Sequence, residues 1–260
     1  MNLPAAELAL GSLSGSLVGF TLGLIGGGGS VLAVPLMVYL VGVGNPHVAI
    51  GTSAVAVAVN AAANLVNHAR SGHVKWPCAL IFAAAGMVGA LAGSTLGKMV
   101  DGQKLLLLFA LVMIVIGLLM LRKRGTDSQL DVRLSRRNLL PLLAFGLGTG
   151  TLSGFFGIGG GFLIVPGLMA STGMSLATAQ ATSLLSVAAF GATTAGNYAL
   201  SGWVDPGLVA AMAVGGVAGT AAGLPLARRL GSNARLGRIL FAGLILVVAA
   251  YVAVRAVLAL

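Results

Sequence analysis

A chain of 260 residues that is 58% hydrophobic and 8% charged, with a mean hydropathy of +1.03, is not a soluble globular domain, since such domains carry roughly 25% charged residues. The net charge of +10 comes from basic residues in short loops between apolar runs, which points to cytoplasmic loops in a bilayer and away from nucleic acid. The single cysteine, Cys78, excludes an internal disulfide or a thiolate metal cluster, and the five acidic residues all lie at segment ends or in loops, which argues against a cation path lined by intramembrane carboxylates.

In chain order, Leu8 to Ile25 is apolar and runs into Gly26, Gly27, Gly28 and Gly29. Glycine costs about 1 kcal/mol against alanine inside a helix, so four in a row mark a break. Ser12 to Ile25 and Ser30 to Val43 are then two half-helices, each too short for the ~30 Å hydrocarbon core. Gly44-Asn45-Pro46 turns the chain into a span from His47 to His68, with further spans from Ala79 to Gly97 and from Leu105 to Leu121. The segment 122–137 holds six Lys/Arg and two Asp and is read as a linker.

The remainder repeats the beginning. Gly15, Gly19, Gly23, Gly26, Gly28, Gly29 and Pro35 recur 131 residues later as Gly146, Gly150, Gly154, Gly157, Gly159, Gly160 and Pro166. After the glycines, Thr52, Asn67, Gly72 and Val74 match Ser183, Asn197, Gly202 and Val204, with the Thr52-Ser53 and Thr182-Ser183 dipeptides leaving the register open by one residue. Spans follow at Ala177–Asn197, Leu208–Leu226 and Ile239–Val257. The fold class is therefore an all-α integral membrane protein with an internal duplication: residues 1–121 as a first repeat, 122–137 as a basic linker, and 138–260 as a second repeat. Each repeat is a pair of half-helices around a glycine break plus three spanning helices. Whether those half-helices re-enter or span twice leaves the parity unchanged, each repeat crossing an odd number of times in inverted orientation; a single kinked crossing per pair would divide the Lys and Arg nine to six, so the charge bias favours inversion. A cytoplasmic linker with both termini periplasmic puts twelve of the fifteen Lys and Arg inside, the bias expected of an inner membrane.

The glycine breaks do their chemistry through the backbone. Freed N–H groups and the first turn of the following half-helix present about +0.5 elementary charge, and irregular backbone is tolerated in lipid only where it faces protein or a watery cavity. Gly26, Gly27, Gly28, Gly29 and Ser30 in one repeat, and Gly157, Gly159, Gly160 and Gly161 in the other, are thus candidate binding groups for a small anion, with Ser30 as a hydroxyl N-cap. On the next span Ser53, Asn60, Asn64 and Asn67 form a polar stripe, whose counterpart is Ser183, Ser186, Thr194 and Asn197. From these, Thr52, Ser53, Asn60, Asn64, Thr182 and Ser183 are candidate ligands that replace water around the anion. His68 ends the stripe, with Tyr198 as its equivalent, and is the candidate for proton coupling. The alternative for the stripe is inter-helix hydrogen bonding. Gly15, Gly19 and Gly23, Gly86 through Gly97, and Gly215, Gly219 and Gly223 are expected to be packing faces.

These motifs resemble those of the sulfite exporter TauE/SafE family. The resemblance rests on the twin glycine runs with Pro35 and Pro166, on the Thr-Ser dipeptides, and on the Asn67-His68 and Ser71-Gly72-His73-Val74-Lys75-Trp76 tail. It implies movement of a small inorganic or organosulfur anion such as sulfite, thiosulfate or an organosulfonate. The expectation is a secondary transporter working by alternating access, with no cofactor or metal, no nucleic acid, the lipid bilayer as its surroundings and a homo-oligomer left open. No catalytic constellation appears, so no enzyme is expected; a passive anion channel and a non-transporting membrane partner subunit are the alternatives.

Overall fold

The computed structural model describes residues 5–70, 72–122, 135–230 and 234–258, so most of the basic linker lies outside the described residues. Among the described residues there is no strand. The helices are α1 (Ala5–Ile25), α2 (Ala33–Leu36), α3 (Pro46–Arg70), α4 (Trp76–Gly97), α5 (Gly102–Arg122), α6 (Arg136–Phe156), α7 (Gly161–Thr172), α8 (Leu176–Ala199), α9 (Pro206–Leu230) and α10 (Ala234–Leu258). A 3₁₀ segment, Gly26–Leu32, joins α1 to α2, and a π-helical turn, Met37–Val41, follows α2. Seven described helices are long and apolar enough to cross a membrane. With Leu111, Leu118, Val247 and Val254 turned outward, the chain is an all-α, multi-pass membrane protein.

Two details differ from the sequence reading. The helix before each glycine run is full length, 21 residues in both α1 and α6, because helix formation begins upstream of the apolar stretch, at Ala5 and Arg136. Only the piece after the glycines is short. The two runs also take different backbones: Gly26–Leu32 stays helical, tightened to 3₁₀, whereas Gly157, Gly159 and Gly160 have φ of 69°, 63° and 66°. That left-handed region is open to glycine and strained for other residues, so the second run makes an open turn and the first does not.

Glycine faces set the helix pairs. Gly15, Gly19 and Gly23 lie against the backbone of Met212, Gly216 and Thr220, so α1 and α9 run parallel in contact too close for a side chain. In the same way Gly86, Gly89, Gly93 and Gly97 lie along residues 146–155, so α4 and α6 are parallel. In contrast, Gly51 abuts Tyr198 and Trp203 while Ala54 and Ala58 abut Gly191, which makes α3 and α8 antiparallel. Asn64 bonded to Thr220, and Asn197 bonded to Ser94, tie α3 to α9 and α8 to α4 in parallel. Thus α1, α3 and α9 run one way and α4, α6 and α8 the other. The remaining large contact is α5 against α10. The glycine stripes read as packing faces behave as such.

The short pieces fold back. A β-carbon at Gly167 would stand 3.1 Å from Thr149, and one at Gly160 2.6 Å from Ser153 Oγ, so α7 returns antiparallel along α6. Gly29 likewise lies on the backbone of Thr21 and Leu22, and Thr21 Oγ1 donates to Gly29 O at 3.1 Å, closing the first hairpin.

Candidate functional site

The two hairpins meet at half depth. Val57 is the twelfth of the 25 residues of α3, and Val187 the twelfth of the 24 of α8. Gly159 lies between them: its β-carbon would be 3.0 Å from Val57 Cγ1 and 3.3 Å from Val187 Cγ1. Beside this turn, Ser30 Oγ accepts a hydrogen bond from Gly161 N at 3.3 Å. Ser30 and Gly161 occupy equivalent places in the two glycine runs, so the structure joins the two breaks directly. It also reassigns the serine: with the 3₁₀ segment running through it, Ser30 caps α7 of the other half and not a helix of its own.

The turn presents donors. Gly157 N and Ile158 N both reach back to Ser153 O, at 2.8 and 3.3 Å, and Gly160 O accepts from Leu163 N and Ile164 N. Among the described hydrogen bonds, Gly159 N and Gly160 N have no acceptor. Ser153, fully buried, has a hydroxyl with no partner, next to Gly160. Ser186, adjacent to Val187 in sequence, is also fully buried with an unpartnered hydroxyl. These groups stand at the N-terminus of a 12-residue helix whose dipole favours negative charge. The apolar neighbours of the turn are Ile50 at Gly157 and Val57 and Val187 at Gly159, all fully buried. The described ionisable side chains sit at helix ends or in loops, among them Arg70, Lys75, Lys98, Asp101 and Asp205. Buried neutral donors beside a helix N-terminus are the chemistry that suits a small anion.

Of the expected site residues, Gly157, Gly159, Gly160, Gly161 and Ser30 come together. Gly29 is buried at the base of the first hairpin, and for Gly26, Gly27 and Gly28 only the backbone path through the 3₁₀ segment is described. Ser53 and Ser183 lie one turn before Val57 and Val187 on the same faces, fully buried, their hydroxyls donating to Ile50 O at 3.1 Å and Gln180 O at 2.8 Å. Thr52 and Thr182 have another task. Thr52 Oγ1 accepts from Asp205 N at 3.0 Å and Thr182 Oγ1 from Lys75 N at 3.2 Å. Each half thus holds the loop of the other in a reciprocal exchange. Asn60 and Asn64 face α9, with Asn60 on Gly216 and Asn64 on Thr220. His68 is half-buried near the end of α3, about three turns past Val57 and away from the turn. Its equivalent, Tyr198, is fully buried and packs on His47 and Trp203. Ser153 is the residue the sequence reading missed. The signal was there: its counterpart in the first half is Leu22, so this position beside the glycines is polar in one repeat only.

The family model described as sulfite exporter TauE/SafE matches residues 12–252. A probable membrane transporter protein of Xylella fastidiosa (strain 9a5c) is 50% identical over 253 residues, covering 97% of this chain and 96% of that one. The probable membrane transporter protein YdhB of Bacillus subtilis (strain 168) is 27% identical over 213 residues, 80% and 85% of the two chains. A further probable membrane transporter protein, from Haemophilus influenzae, is 28% identical over 203 residues, 75% and 74% of the two chains. No solved structure matches this chain.

Proposed function

The chain belongs to the sulfite exporter TauE/SafE family of membrane transporters, and on that basis we propose that it carries a small sulfur-containing oxyanion across the bacterial inner membrane by alternating access. The observation that carries this reading is the meeting of the two hairpins at half depth, where Ser30 Oγ receives Gly161 N and the N–H groups of Gly159 and Gly160 have no acceptor. Sulfite, thiosulfate and organosulfonates present several acceptor oxygens on a compact centre, which suits convergent neutral donors.

Alternating access draws support from the helix directions. A shift of 130 residues maps α3 onto α8, and these two are antiparallel. It also exchanges the α1–α9 contact for α6–α4 and returns α5–α10 to itself. Two repeats, 1–121 and 138–260, inverted about an axis in the membrane plane, would account for all three pairings, and in such a design a substrate is bound where opposed short helices meet. Twelve basic residues on the linker side put the linker 122–137 in the cytoplasm and both termini in the periplasm.

The test is a binding screen of sulfite, thiosulfate, sulfate and an alkanesulfonate on the purified protein, read by calorimetry. At least one should bind saturably, and Ser153→Ala should weaken it about five-fold, the loss of one hydrogen bond at about 1 kcal/mol. Absence of saturable binding by every anion tested would remove the reading.

A further inference from the structure

Between α1, α3 and α9 two buried amide oxygens have no donor. Asn60 and Asn64 are 1% and 0% exposed, and Oδ1 of each is unpartnered. The orientation of Asn64 is set by its neighbours. Thr220 Oγ1 donates to Gly19 O at 3.0 Å, so it can only accept from Asn64, and the other neighbour, Asn60 O, is a carbonyl. Nitrogen must face both, which leaves oxygen on the free side. The amide of Asn60, one turn earlier on the same face, lies on Gly216. Ser14 of α1 is also fully buried with a partnerless hydroxyl.

Leaving a buried acceptor without a donor costs about 1–3 kcal/mol; at the place of Asn60 the second half avoids it, while Thr194 Oγ1, at the place of Asn64, is likewise buried and unpartnered. The equivalents of Asn60 and Gly216 are Phe190 and Gly86, where the phenyl ring fills the space over the glycine and stacks on Phe82, centroids 6.4 Å apart. The equivalent of Asn64 is Thr194. The same helix contact is therefore built once with an aromatic ring and once with amides. Lone pairs that face no donor repel an anion, so these atoms do not extend the anion site. An amide oxygen is not protonated near neutral pH, so they do not relay protons either. Hard neutral oxygens suit an alkali or alkaline-earth cation, and with no carboxylate described beside them the single charge is the one they can compensate.

We infer that Oδ1 of Asn60 and of Asn64 are ligands of a bound monovalent cation of the sodium type, whose charge offsets that of the anion carried at the glycine turn. The second clause rests on the proposed function; the cation site itself does not. The experiment measures thermal stability and sulfite affinity of the purified, full-length protein in sodium chloride against choline chloride at equal ionic strength. Sodium alone should raise the melting temperature saturably and tighten anion binding by about 5- to 150-fold, the usual span of coupling between two sites. Asn64→Leu, near in volume, should lose both sodium effects while keeping sodium-independent anion binding. Asn64→Asp should retain the sodium response, which shows that a well-folded variant with an oxygen ligand suffices. Asn60→Ala supplies a second test of loss should Asn64→Leu fail to fold. Equal stability and equal affinity in the two salts would overturn the inference, the oxygens then holding water only, and so would a sodium response unchanged in Asn64→Leu. Stabilisation by sodium with no anion binding would keep the cation site and remove the proposed function instead.

Discussion

At Gly159 the fold crowds a side chain and asks for a left-handed backbone. Both follow from its position between Val57 and Val187, with φ of 63°. A β-branched residue there pays strain of about 1–3 kcal/mol and occupies the space in front of the free N–H groups. Gly159→Val should therefore abolish anion binding and uptake at normal expression, with protein level measured separately. Binding at the wild-type level would reduce the turn to a packing device. Thr52 and Thr182, singled out beside the glycines, each receive a loop N–H from the other half. Nothing in the local sequence signals that exchange, because each partner lies more than a hundred residues away. The glycine runs themselves were legible as breaks. Their different backbones were not, since glycine permits both the 3₁₀ and the left-handed path. Asp205 and Lys75 show a smaller asymmetry of the same kind: the Asp205 carboxylate caps α9 through Gly207 N and Leu208 N, at 2.9 and 3.1 Å, whereas no side-chain cap stands at Lys75 before α4.

At the scale of elements, glycines four apart told which helix faces would pack, but not which helices they would meet. That α1 chooses α9, and α4 chooses α6, depends on shape complementarity across the whole bundle. The consequence is testable by comparing glycines with different surroundings. A side chain at Gly19 would meet the backbone of Gly216, and one at Gly150 the backbone of Gly86, whereas Gly148 on α6 has nothing within 4 Å. Overpacking costs about 1–3 kcal/mol, and each kcal/mol shifts the midpoint by about 2–4 °C at this size. Gly19→Leu and Gly150→Leu should each lower the melting temperature in detergent by several degrees, and Gly148→Leu should leave it unchanged. Equal effects at all three positions would show that close backbone contact is not what holds these pairs.

For the whole molecule, seven residues recurring at one spacing point to a duplication, and the proposed odd number of crossings per repeat rests on charge. Orientation in the bilayer is open to a direct check in a Cys78→Ala background. Leu200→Cys, 90% exposed after α8, and Met99→Cys, 81% exposed after α4, should react with an impermeant thiol reagent from the periplasmic side, and His73→Cys from the cytoplasmic side. The reverse pattern would place the linker outside. The central claim is that the glycine turn binds an anion inside a carrier, and counterflow in proteoliposomes tests it most directly. Vesicles preloaded with unlabelled sulfite should accumulate labelled sulfite transiently above equilibrium, with a saturable initial rate, and Gly159→Val should show neither. Non-saturable flux without counterflow, or unitary currents across a planar bilayer, would contradict the account and assign the same groups to a passive pore.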